Sequence, residues 1–212
     1  MKKNKSIIEI ILIISILFLM GMLFFDDWNY KKIKKDTNNM IKEIDENIET
    51  NKKTNEEYKE NCKEENKEIK TKEECTLKKG INISGCLVFG KIRIDKIGIE
   101  YPIIEYVNEK SLLKSICKIS NNDITGTGNL CLAGHNMRNN SMFSNLKKVN
   151  IDDIIVITNM NGENFYYKVY EKQYVDPEQI EVLKDNDESI ITLITCNNSL
   201  SKRLIIKGKI NK

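Results

Sequence analysis

The sequence predicts a mainly β domain, a closed or partly closed barrel, carried behind one membrane-spanning helix and a polar, partly helical stalk. Three observations predict it. Ile7–Phe25 is apolar except for Glu9 and Ser15. A long segment rich in Lys, Glu and Asn follows, with no Pro. From Leu87 on, short runs of Ile, Val, Leu, Thr and Tyr recur, separated by Gly, Asn and Asp clusters such as Asn159–Gly162. Many strands with few helices point to a barrel.

The apolar run has 19 residues. At ~1.5 Å rise each it reaches about 28 Å, close to the thickness of a bilayer's hydrocarbon core. Lys2, Lys3 and Lys5 precede it, and Asp26 and Asp27 follow. The positive-inside bias places the N-terminus in the cytoplasm and the rest outside. No small-x-small cleavage site follows the run, so it reads as a retained single-pass anchor rather than a cleaved signal peptide. The expected segments are an anchor region at 1–28, a stalk at 29–80 and a globular domain at 81–212.

In the stalk, Ile33, Met40, Ile41, Ile44 and Ile48 form a weak helical stripe that fades after Glu49. This predicts a solvated spacer that adds nothing to the barrel core. A fragment starting near Ile81 is then expected to fold alone. Cys62 and Cys75 lie here, able to form a disulfide outside the cell or to remain free thiols.

The globular part yields seven strand-like runs. They are "LVFGKIRI", "IGIEYPII", "NLCLAGH", "DIIVITN", "ENFYYKVYEKQYV", "SIITLITC" and "RLIIKGKI". Short helical turns are expected at Glu109–Cys117, Ser141–Lys147 and Pro177–Lys184. Cys86, Cys117 and Cys131 sit among apolar residues and read as core fillers. The net charge is +3, which gives no field suited to nucleic acid. With no C-x-x-C pair and a single histidine, a zinc site is not expected. Acidic Glu178, Asp185, Asp187 and Glu188 read as solvated loop residues, and no metal or other cofactor is predicted.

Cys196 ends one strand-like run and Arg203, seven positions on, begins the next. A hairpin-like pairing brings thiol and guanidinium to one edge of the sheet. A nearby cation favours the thiolate, and a guanidinium can hold an oxyanion or a substrate carbonyl. The only proton carrier of the imidazole type is His135, after the run Leu130–Ala133. Thiol, imidazole and guanidinium at three strand ends suit acyl transfer.

"TLITC" followed closely by "RL", with "GH" at an earlier strand end, resembles the sortase family of cysteine transpeptidases. The likeness covers roughly residues 84–210 and includes "IEYPI", "MFSNL" and "VDPEQIEVL". His135 and Cys196 lie 61 positions apart, similar to the compact class A and class D sortases, whereas "GHNMRNNSMF" resembles class B. The resemblance implies an eight-stranded barrel with the site at one end of its strands. It implies His135, Cys196 and Arg203 as the catalytic residues. Thr195, Asn136, Met142 and Phe143 are candidates for the substrate groove. Thr195 also suits a plain β-former, and Met142 and Phe143 suit packing. The implied substrates are surface proteins bearing a C-terminal LPxTG-like sorting signal. The implied acceptors are amines from a cell-wall precursor or a pilin lysine. A tethered cysteine hydrolase and a non-catalytic wall-binding barrel are the alternatives. At ordinary pKa values, thiolate paired with imidazolium makes up under about 1% of molecules at pH 7, so slow turnover is expected.

Overall fold

The computed structural model describes residues 2–61, 80–120, 122, 128–184, 188–197, 199 and 201–210. The chain divides into two compact units, one ending at Asp36 and the other running from Thr37 to the C-terminus. A single helix, α1 (Lys2–Asn61), contributes to both. In the first unit its large apolar side chains between Ile11 and Phe25 stand exposed. By length and composition the helix is long and apolar enough to cross a membrane.

Among the described residues the second unit holds nine strands. They are β1 (Ile81–Ile83), β2 (Cys86–Ile94), β3 (Ile99–Ile104), β4 (Ile116–Lys118), β5 (Asn129–Ala133), β6 (Ile154–Asn159), β7 (Asn164–Val175), β8 (Ile190–Cys196) and β9 (Arg203–Ile210). Their order is β1-β2-β3-β4-β5-β8-β9-β7-β6, and β6 pairs back onto β2. Eight strands therefore close a barrel, and β1 is a short hairpin partner of β2 outside the ring. Closure leaves the eight barrel strands without a free edge along the ring. Two pairings are parallel, β3 with β4 and β5 with β8. All seven expected runs became strands. The run expected as a helical turn at Glu109–Cys117 instead divides, its first part forming α2 (Glu109–Lys114) and its apolar end entering β4. Asn108 accepts from the Ser111 amide and caps α2.

The interior is filled by Ile92, Ile103, Leu130, Leu132, Phe143, Leu146, Ile157, Tyr167, Leu193 and Ile206, among others. On β7 the buried positions alternate with exposed ones, whereas β5 and β8 are buried on both faces along most of their length. Lys118 points inward and is nearly inaccessible. It is neutralised by Glu105 at 2.7 Å and lies over the Phe89 ring at 4.7 Å.

A second apolar cluster corrects the solvated-spacer expectation. Met40, Ile44 and Ile48 of α1 are buried against Ile83, Val88, Ile104, Cys117 and Met160. The stripe is short because only one helical face over three turns meets the barrel. Fully burying such side chains contributes roughly 1.5–3 kcal/mol each. Lys91 reinforces the contact through Asp45 at 2.6 Å and Glu100 at 2.9 Å. Burial works to lower the Lys91 pKa, but the two carboxylates outweigh it and raise it. Gly162 makes the close approach possible. It sits at φ +77°, and a Cβ there would lie 2.5 Å from an Ile48 methyl. The stretch from Thr37 to Asn51 thus contributes to the barrel's packing, and the expectation of a domain folding alone from Ile81 is revised accordingly. Cys86, Cys117 and Cys131 are buried free thiols, as core fillers should be. Cys62 and Cys75 lie outside the described residues.

Candidate active site

The polar connection between β8 and β9 turns back within a few residues because both flanking strands pair along their whole length. The last pair in the register is Cys196 with Arg203. The Asn197 amide donates to the Lys202 carbonyl at 2.9 Å. That bond, one residue outside the pair, marks Cys196 and Arg203 as a non-hydrogen-bonded pair, the kind in which facing side chains come closest. Both residues are half-buried, so thiol and guanidinium sit at the rim rather than in the core.

β5 reaches the same rim because it runs parallel to β8, with Ala133 in register with Ile194. The next residues continue the contact. The Gly134 amide donates to Ile194 O at 3.1 Å. The Thr195 hydroxyl donates to Gly134 O at 2.7 Å. His135 follows, half-buried, and its carbonyl accepts from the Phe143 amide. Gly134 has a steric reason to lack a side chain. A Cβ there would lie 2.6 Å from Ile116 Cδ1 and 2.8 Å from the Phe143 ring. The loop that returns from His135 closes through an isolated bridge between Asn136 and Met142. Met142 has φ +51°, in the left-handed region that non-glycine residues seldom adopt. Its amide is held by the Tyr101 hydroxyl at 2.9 Å.

A cleft of about 290 Å³ opens here, lined by Asn136, Phe143, Ser144, Lys147, Tyr174, Thr195, Cys196, Asn197, Ser199 and Leu204. Of the residues expected at the site, Cys196, Thr195, Asn136 and Phe143 line it. His135 and Arg203 flank it on neighbouring strand ends. Met142 is fully buried behind it. Sequence reasoning missed Lys147 and Tyr174. Tyr174 shares a register pair with Leu204, and the β8–β9 motif gives no hint of that partner strand. Lys147 belongs to a turn held from below by the Lys172 ammonium, which donates to the carbonyls of Lys147 and Val149. Among the described residues no group of three or more His, Cys, Asp and Glu is placed to hold a metal ion.

This arrangement sets the Cys196 thiol in the lining of a small groove, with His135 and Arg203 at the adjoining strand ends. A sortase-domain family model matches residues 92–211, more than half of the chain. The chain belongs to the sortase family. Sortase A of Bacillus anthracis is 34% identical over 124 residues, covering 57% of this chain and 59% of that relative. Sortase A of Listeria monocytogenes is 31% identical over 140 residues, covering 64% and 62%. The chain thus spans about three-fifths of the length of these curated relatives. Among solved structures, L. monocytogenes sortase A matches with a TM-score of 0.56 at 29% identity, over 59% of this chain and 88% of that one. Sortase C1 of Streptococcus agalactiae matches with a TM-score of 0.57 at 26% identity, over 63% and 72%. The sortase neighbours share the eight-stranded barrel, and the thiol, imidazole and guanidinium stand at its rim.

Proposed function

We propose that this sortase is a membrane-anchored cysteine transpeptidase acting on surface proteins with an LPxTG-like sorting signal. The observation that carries the reading is the register. Cys196 pairs with Arg203 at the end of β8–β9, and parallel β5 delivers His135 to the same rim. The Cys196 thiolate adds to the carbonyl carbon before the scissile bond. The oxyanion that forms needs a donor. The Asn197 amide is committed to Lys202 O, which favours the Arg203 guanidinium for that role. Collapse breaks the C–N bond as His135 gives its proton to the leaving amine, and a thioacyl enzyme remains. The neutral imidazole then takes a proton from an incoming amine, which attacks the thioester and releases the thiolate. The amine would come from a cell-wall precursor or a pilin lysine. The exposed apolar stretch of α1 supports a single-pass anchor, with the N-terminus cytoplasmic and the barrel outside.

The test uses the full chain in detergent with LPxTG-like peptides and an added amine. Cys196-dependent ligation and a trapped thioacyl adduct at Cys196 are expected. His135→Ala should lower turnover by ~10²–10⁴-fold without unfolding the barrel. Cleavage that never yields ligated product with any amine would make the protein a hydrolase. Cleavage that survives Cys196→Ala would sink the reading altogether.

A further inference from the structure

We infer that Asn136 is a positioning residue for the nucleophile, its side chain standing in for a missing backbone rung between β5 and β8. The inference rests on the transpeptidase reading and refines it.

In a parallel pair, one strand donates to its neighbour at every second residue. Gly134 N–H donates to Ile194 O, so the following rung should run from residue 136 to Cys196 O. The backbone cannot supply it. After His135 the chain turns out of the ladder, the Phe143 amide bonding the His135 carbonyl so that Asn136 lies opposite Met142 in an isolated bridge. The Asn136 side chain takes over. Its Nδ2 donates to Cys196 O at 2.9 Å. The ladder therefore extends one rung past the end of β5, to the nucleophilic residue itself.

The geometry around this bond is fixed from several sides. The Cys196–Asn197 peptide group is held at both poles, its carbonyl by Asn136 and its N–H by Lys202 O. The loop carrying Asn136 is held by Phe143 N to His135 O, by Tyr101 on Met142, and by Ser144, whose hydroxyl serves both Met137 N and Met137 O. Asn136 follows His135 in sequence, so its amide ties the imidazole's loop directly to the residue that bears the thiol. A clamp of this kind sets the relative placement of two groups that act on the same scissile bond, the thiolate on its carbonyl carbon and the imidazole on its amine. Displacement of about 1 Å in such a pair can cost around a hundredfold in rate. The groove thereby gains one wall that is spent on the enzyme's own backbone and is not offered to the substrate.

The experiment compares wild type, Asn136→Ala and Asn136→Asp in the full chain, with kcat, KM, the pH profile of kcat/KM and the thermal midpoint measured on each. For Asn136→Ala, kcat should fall about 5- to 30-fold with KM within about twofold, because a part-buried hydrogen bond to the Cys196 carbonyl is lost while the groove keeps its shape. Asn136→Asp keeps the size but presents an ionised acceptor to a carbonyl oxygen. It also sets a negative charge among His135, Cys196, Arg203, Lys147 and Tyr174. It should fall further than Asn136→Ala, and its pH optimum should move to the alkaline side, since a nearby anion raises both thiol and imidazole pKa values. A KM increase with kcat preserved would assign Asn136 to substrate contact and overturn the inference. So would an unchanged kcat in a folded Asn136→Ala, or losses matched by the fraction unfolded. If Asn136→Ala does not fold, an Asn136→Asp profile with an unmoved optimum overturns it. Wild-type protein without Cys196-dependent cleavage overturns the transpeptidase reading and this inference together. Normal wild-type cleavage with an indifferent Asn136 overturns only the second.

Discussion

At the scale of single residues, the site depends on what its members lack as much as on what they carry. Gly134 leaves room for the Phe143 ring, and Phe143 in turn holds the His135 carbonyl. Gly134→Ala would force the ring or Ile116 to shift. It should cost roughly 1–3 kcal/mol in unfolding free energy, as overpacked sites do, and should reduce peptide ligation more than its fall in thermal midpoint explains. Arg203→Lys keeps the charge and loses the planar fork. Ligation should drop at least about tenfold, with thioacyl formation the step that slows, since a lysine cannot reproduce the paired donors. Burst kinetics with a thioester-trapping peptide would reveal an unaffected first step if Arg203 instead serves the acceptor. Cys196 and Arg203 were legible as a pair because hairpin pairing is local and residue types at strand ends are visible. The work done by Asn136 and Thr195 was not. Their hydroxyl and amide could as well face substrate, and only the parallel register of β5 against β8 turns them toward backbone carbonyls.

The element that sequence reasoning read least well is α1. Its stripe of Met40, Ile44 and Ile48 is too sparse to announce a packed helix, because the surface it covers is narrow and its flanks are solvated. A helix of this polarity gains its stability from tertiary contact rather than from propensity. Ile44→Ala should destabilise the protein by about 2–5 kcal/mol, the usual cost of deleting a buried aliphatic side chain. Thermal unfolding of the purified chain measures it. A fragment beginning at Ile81 would leave Ile83, Val88, Ile104 and Met160 without their cover. It should melt lower than a fragment beginning before Thr37 and should bind a hydrophobic dye that the longer one excludes. Equal midpoints would mean that the helix adds nothing. The strands behaved differently. Their β-branched runs and turn clusters marked seven of the nine, whereas β1 and β4, at three residues each, are too short to carry a period.

For the molecule as a whole, the barrel's buried acids set how stability responds to alkali. Burial, with a smaller contribution from Cys86, pushes the Cys117 thiol up to about 12. The same thiol in an unfolded chain titrates near ~8.5. Between these values the folded protein keeps a proton that the unfolded chain releases, so stability falls as pH rises. The slope from this group approaches about 1.4 kcal/mol per pH unit. Burial likewise pushes Tyr167 up to about 12, which steepens the decline above ~10. Lys91, whose pKa is raised, contributes stability below ~10.4 that fades as pH climbs past its folded value. Denaturant melts at pH 8 to 11 should show the loss, and Cys117→Val should flatten it. A variant with the wild-type slope would mean that Cys117 is not shielded.

The parallel pairing of β5 with β8 also bears on when the protein can act during its own synthesis. The two strands are separated by more than fifty residues, including all of β6 and β7. Contacts so distant in sequence form late, since the entropy of closing a long loop must be met first. Before that closure the thiol has no imidazole beside it, even where the local β8–β9 hairpin already holds the guanidinium in register. A chain still threading through a membrane, its barrel unformed, would carry an inert cysteine. Reactivity would arrive in one step with the final fold, and in refolding it should return with the slowest phase rather than with the first appearance of β structure.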